Sequence, residues 1–160
     1  MKTLVVFYSL EGNTKFIADV IAKHLQADTL ELKTAKPFPS KGFKKFFKGG
    51  MSVVFKQKPK LDNKDIDLNP YDNIIIGTPV WAGSYSSPVN SFIKQYPFTG
   101  KKVGVFLCSG GGGVEKCCSN IKKALPGNSF IGEIDFVEPL KRGREEAFKA
   151  SVQWCENLSL

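Results

Sequence analysis

Apolar residues along this chain fall into short unbroken runs separated by amphipathic stretches. Leu4, Val5, Val6 and Phe7 form one such run, Ile74, Ile75 and Ile76 a second, and Val103, Val105, Phe106 and Leu107 most of a third. Runs of this kind read as strands covered on both faces, the usual state in a parallel sheet. Thr29 to Lys33 alternates apolar and polar, as an edge strand does, and Phe130 to Val137 gives a fifth strand. The stretches between them carry helical spacing. Phe16, Ile17, Val20, Ile21 and Leu25 share one side, Val89, Phe92 and Ile93 follow Pro88, and Cys117, Ile121 and Leu125 precede Pro126-Gly127. Glu145 to Leu158 predicts a last helix with Phe148, Val152 and Trp154 or Cys155 turned inward. Strands alternating with helices predict an α/β fold: a parallel sheet with right-handed crossovers and helices on both faces.

Such sheets bind ligands beyond the carboxyl ends of their strands, where strand order reverses. Three strands here end in unusual turns. The first runs Ser9-Leu10-Glu11-Gly12-Asn13-Thr14 into a helix. Loop amides and the first N–H groups of that helix point at one spot, and the helix dipole favours negative charge there, so phosphate is the natural occupant. It is neither a Walker loop nor G-x-G-x-x-G. The second turn, Thr78-Pro79-Val80-Trp81-Ala82-Gly83, offers Trp81 on a loop as a flat surface for a ring. The third, Cys108-Ser109 followed by Gly110, Gly111, Gly112 and Gly113, lets backbone approach a ligand closely. Phosphate, a flat ring and backbone donors together suggest flavin mononucleotide (FMN).

The segments Val-Val-Phe-Tyr-Ser-Leu-Glu-Gly-Asn-Thr, Tyr-Asp-Asn-Ile-Ile-Ile-Gly-Thr-Pro-Val-Trp-Ala-Gly and Val-Gly-Val-Phe-Leu-Cys-Ser-Gly-Gly-Gly-Gly resemble the flavodoxin family over nearly the whole chain. The resemblance implies a three-layer, doubly wound, five-stranded parallel sheet in the order 2-1-3-4-5, with FMN at the switch point. It is similar to the short-chain branch, with no long insertion in the last strand. It further implies that Ser9, Gly12, Asn13 and Thr14 hold phosphate and that Thr78, Pro79, Trp81 and Gly83 line one flavin face. Ser109 to Gly112 would meet the ring edge, with Leu10, Glu11, Val80, Ala82 and Cys108 completing the site. The implied activity is electron transfer. The second reading is an NAD(P)H-dependent FMN or quinone oxidoreductase, and a third is a flavin-free interaction module.

Three features depart from the family pattern. Glu11 stands where the family's phosphate loop usually carries Thr, so its carboxylate is expected to point outward, leaving phosphate to the loop amides. The glycine loop lacks the aromatic that commonly covers the flavin's outer face, and an open face suits hydride transfer from a stacked partner. Tyr85 is expected to pack beside Pro88 and not to supply that cover. The third departure is charge.

The formal net charge is +8, and it is unevenly placed. Between Lys36 and Lys60 stand eight lysines and no acidic residue; the other fifteen basic residues are matched by fifteen acidic ones. Residues 36–69 therefore read as a lysine-rich insertion between strands two and three of a single domain, 1–160. Within it Phe43, Phe46 and Phe47 oppose Lys44, Lys45 and Lys48, an amphipathic helical spacing. It is expected to seal a sheet edge or to steer a redox partner of acidic, ferredoxin-like surface. Nothing else in the chain reads nucleic acid.

Composition adds exclusions. At 160 residues a single core is large enough to bury roughly 70% of the unfolded surface. No apolar run is long enough to span a bilayer, and no secretory pattern opens the chain. Cys108, Cys117, Cys118 and Cys155 show neither zinc spacing nor a C-x-x-C pair, which suits reduced thiols in a cytoplasm. Cys108 reads as a small buried hydrophobe beside the site. His24 reads as a solvated helix residue, and no His, Asp or Glu grouping has metal spacing. Ser9 and Ser109 have no histidine near in sequence, so acyl transfer is unsupported. A monomer or weak dimer is expected.

Overall fold

The computed structural model describes residues 1–39, 50–53 and 56–160. Its elements are β1 (Thr3–Phe7), α1 (Asn13–Leu25), β2 (Asp28–Glu31), β3 (Asn73–Trp81), β4 (Ser84–Tyr85) and α2 (Ser87–Gln95). They continue with β5 (Lys102–Ser109), α3 (Val114–Ala124), β6 (Ser129–Val137), α4 (Pro139–Arg142) and α5 (Arg144–Glu156). The sheet runs β2-β1-β3-β5-β6, all parallel, with β4 pairing antiparallel to the end of β3. Counting the parallel strands alone, this is the expected order 2-1-3-4-5. The order reverses between β1 and β3, whose carboxyl ends therefore splay apart.

Period-two alternation sends side chains of the inner strands to two separate cores. Leu4, Val6, Ile74, Ile76, Val103, Val105 and Leu107 pack with Val89, Phe92 and Ile93 of α2 and Cys117 and Ile121 of α3. On the other face Val5, Phe7, Ile75 and Phe106 pack with Ile17, Ala18 and Ile21 of α1 and Ala147 and Cys155 of α5. The continuous apolar runs thus have the cause inferred for them, burial on both sides. Gly77 is required by packing: a Cβ there would lie 2.0 Å from Phe106 Cζ. Gly104 and Gly132 face each other across β5 and β6 and leave a slot for Trp154.

Two expectations need correction. β3 does not close at Gly77-Thr78-Pro79 but continues to Trp81, which ends a strand and does not sit on a loop. The chain then reverses through Ala82 (φ 48°) and Gly83 (φ 70°), pairing Val80 with Tyr85 and Trp81 with Ser84. Two successive left-handed residues make the tight hairpin turn that matches strand twist. Alanine in the first position hides the signal. In α5 the inward face is Ala147, Ser151 and Cys155, while Phe148 is 48% exposed. The small residues lie against the sheet because Trp154 already fills the adjoining slot.

The outer edge of β2 is covered by returning chain. Asn63 bridges it, its Nδ2 donating to Glu31 O (2.7 Å) and its Oδ1 accepting from Lys33 N (2.8 Å). Asp62 N donates to Lys33 O, and Thr34 forms an isolated antiparallel bridge with Leu61. No helix among the described residues is long and apolar enough to cross a membrane. The expected helix of Phe43, Phe46 and Phe47 with Lys44, Lys45 and Lys48 lies outside the described residues.

Candidate functional site

The tips of β1, β3 and β5 converge as their order requires. One cleft is lined by Ser9, Leu10, Glu11, Asn13, Thr14, Pro79, Val80, Trp81, Cys108, Ser109, Gly110 and Glu138. All but Glu138 come from the three turns singled out in the sequence.

One end of the cleft is built by backbone. Gly12 (φ 93°) caps α1 in a left-handed conformation that favours glycine. Its N–H donates to Ser9 Oγ (3.1 Å), which folds the loop back on itself, and its carbonyl accepts the first helical bond from Phe16 N (2.9 Å). No side chain caps the helix. The N–H groups of Asn13, Thr14 and Lys15 therefore have no partner within α1 and open on the positive end of its dipole. Glu11 is exposed, and its charge acts on Lys141, raising that amine's pKa alongside the stronger effect of Glu138.

A fourth segment completes the rim. Glu138 holds a left-handed backbone (φ 41°) at the end of β6, and its N–H donates to Ser109 O (3.0 Å). Its carboxylate accepts from Lys141 Nζ (3.0 Å) and Arg142 Nε (3.1 Å), contacts that hold it below its ordinary pKa. Asn13 Oδ1 accepts from Leu140 N (3.1 Å), tying the phosphate loop to the same turn. Sequence reasoning passed over Glu138. The signal was its place, immediately past the carboxyl end of β6, in a sheet of the kind that gathers ligands beyond its strand ends.

The other end is aromatic. Trp81 stands edge-on to Tyr8 (centroids 5.6 Å apart, planes at 83°) and tilted over Phe38 (5.1 Å, 59°). Tyr8 also meets Phe38 edge-on at 6.3 Å. Burial pushes the Tyr8 phenol up to about 12, so it stays neutral. Phe38 was also unmarked in the sequence, although Pro37 and Pro39 on either side fix it in extended backbone. The enclosed space is about 90 Å3, below the ~300–1,000 Å3 of most cofactor clefts. The aromatic end is narrowed by Trp81 and Phe38, whose rings lie 5.1 Å apart.

The other predicted residues support the cleft from behind or flank it. Thr78 is fully buried, and its hydroxyl accepts from Ser86 N (3.0 Å) and meets Ser86 Oγ (3.1 Å), anchoring the hairpin. Ala82 and Gly83 turn toward α3, where Gly83 lies so close to Gly113 that a Cβ on the latter would meet its Cα at 2.9 Å. Ser109 Oγ accepts from Gly111 N (3.2 Å), while Gly111 and Gly112 line a shallow depression next door. Tyr85 packs against the α2–α3 core, as expected, and not over the cleft.

All four cysteines are free and buried. Burial pushes Cys108 up to about 12, with Thr14 acting weakly the other way, so it is a thiol and a poor nucleophile. No group of three or more metal-ligating side chains occurs among the described residues.

Comparison with known proteins agrees with this geometry. A family model described as flavodoxin matches residues 2–139. The minor allergen Alt a 7 of Alternaria alternata is 27% identical over 142 residues, covering 81% of this chain and 68% of that protein. A flavoprotein from Lactobacillus acidophilus NCFM, solved in complex with FMN, superposes with a TM-score of 0.74. It is 25% identical and covers 90% of this chain and 99% of its own. A Bacteroides eggerthii protein has a TM-score of 0.80 at 23% identity, covering 99% and 98%.

Proposed function

The chain belongs to the flavodoxin family, and from that premise we propose that it binds FMN at the three strand tips and carries electrons. The observation that supports this best is the convergence of Ser9–Thr14, Pro79–Trp81 and Cys108–Gly110 on one cleft with an uncapped helix start at its end. FMN supplies reversible one- and two-electron chemistry when bound. The chain's own part is to hold and orient it. The N–H groups of Asn13, Thr14 and Lys15 are placed for the phosphate, Trp81 and Pro79 for a ring face, and the Ser109–Gly110 backbone for the ring edge. Neutral Tyr8 and Cys108 keep the surroundings apolar and free of competing proton transfer. Buried reduced thiols suit a cytoplasmic setting, and the lysine-rich segment suits a redox partner with an acidic face.

A visible spectrum of the purified protein tests the reading: flavin absorption with one FMN per chain is expected, and a colourless protein that takes up no added FMN rejects it. The second reading, an NAD(P)H-dependent quinone reductase, is favoured by Tyr85, which is half-buried against the α2–α3 side and does not line the proposed flavin cleft, leaving no aromatic cover from the glycine loop among the described residues. Steady-state turnover of NADH or NADPH with a quinone, faster than with free FMN, would decide for it.

A further inference from the structure

A larger cleft, about 740 Å3, lies on the far side of the β3–β4 hairpin, and its lining includes Lys56, Lys58, Lys94, Lys116 and Lys123. No acidic side chain lines it. None of the five lysines forms an ion pair among the described residues, and the undescribed stretches, 40–49 and 54–55, contain no acidic residue. The walls are fixed by hydrogen bonds. Ser52 Oγ meets Ser87 Oγ (3.0 Å), Asn90 Nδ2 donates to Gln57 O (3.3 Å) and Ser91 Oγ donates to Pro59 O (2.7 Å), holding the lysine-bearing segment on α2. Asn120 Nδ2 donates to Ser84 Oγ (3.1 Å), holding α3 on the hairpin. A concave, braced cleft lined by lysines with no acid beside them carries a positive field, and a multivalent anion is the ligand that complements it.

We propose that this cleft is a second ligand site, for a small polyphosphate of nucleotide size. Lysines act as point charges suited to several phosphates at varied angles. The volume lies within the range of small-molecule sites, and Tyr85 offers an apolar surface for a base. Concavity favours a small ligand over a protein surface, which would bridge across the rim. The site stands apart from the flavin cleft and holds whether or not that cleft takes FMN.

The test is calorimetric titration of the full chain with tripolyphosphate, with ATP and with a polyglutamate peptide of similar charge, at low and physiological salt. One-to-one binding of ATP and tripolyphosphate, weaker for the peptide, is expected. Replacing three wall lysines together (Lys94→Gln, Lys116→Gln, Lys123→Gln) should weaken phosphate binding at least ten-fold and leave FMN affinity and thermal stability unchanged. Tighter binding of ATP than of tripolyphosphate would add Tyr85 to the site, and equal binding would assign it to phosphate alone. No binding at millimolar phosphate, affinity unchanged by the substitutions, or equal affinity for the peptide would overturn the proposal.

Discussion

Asn13 Oδ1 accepts a hydrogen bond from Leu140 N at 3.1 Å, joining the first residue of α1 to the turn after the last strand. Two distant parts of the chain thus fix one loop, whose amides face the phosphate on the proposed reading. Asn13→Ala should cost about 1 kcal/mol and weaken FMN binding roughly five-fold. Fluorescence titration of FMN measures it, and unchanged affinity would mean that the loop holds its shape alone.

Gly77 and Phe106 occupy one space from neighbouring strands. Gly77→Ala would push a methyl into the Phe106 ring, costing about 3 kcal/mol of stability. Adding Phe106→Leu should recover part of that loss. Urea denaturation of the single and double variants checks both statements.

On the proposed reading a flavin ring enters beside Trp81, whose ring is tilted over Phe38 at 5.1 Å. The contact between them is worth about 0.5–1.5 kcal/mol, so Phe38→Ala should speed FMN association roughly two- to ten-fold. Stopped-flow mixing reads this directly; an unchanged rate would show that the ring enters without parting the pair.

Lys141 and then Arg142 hold the Glu138 carboxyl below its ordinary value of 4.5. The ionised form is the one favoured by folding, so its contribution is complete above that value and fades as pH falls through the lower folded value. A carbon-detected NMR titration of Glu138 should show a midpoint under 4.5. Glu138→Gln should remove this pH dependence.

The buried thiols should be inert. Cys108 and Cys117 are pushed up to about 12, and Cys118 and Cys155 to about 11. At pH 8 iodoacetamide should label the native protein no faster than it unfolds, with all four thiols reacting in denaturant.

Much of this architecture was legible because apolar runs and glycine-rich turns carry unambiguous periods. Leu4–Phe7 and Ile74–Ile76 announced two-sided strands, and the three turns that follow strands held eleven of the twelve residues lining the cleft. What escaped reading depends on contacts between distant segments. Phe38 matters because it meets Trp81, and Glu138 because Ser109 receives its N–H; neither fact leaves a local pattern. The β3–β4 hairpin escaped because Ala82 holds a backbone conformation that asparagine or glycine would have advertised. Phe148 was placed inward by spacing alone and is exposed, while Trp154 and Cys155, read as alternatives for the inward face, both pack against the core.

Asn63 imitates a neighbouring strand with its carboxamide, donating to Glu31 O at the end of β2 and accepting from Lys33 N just beyond it, beside the Asp62 and Thr34–Leu61 contacts. A parallel sheet that leaves such a border bare invites another molecule to add itself there. This side chain is therefore expected to help shield that border, and deamidation to aspartate, which removes the donor, is expected to loosen it.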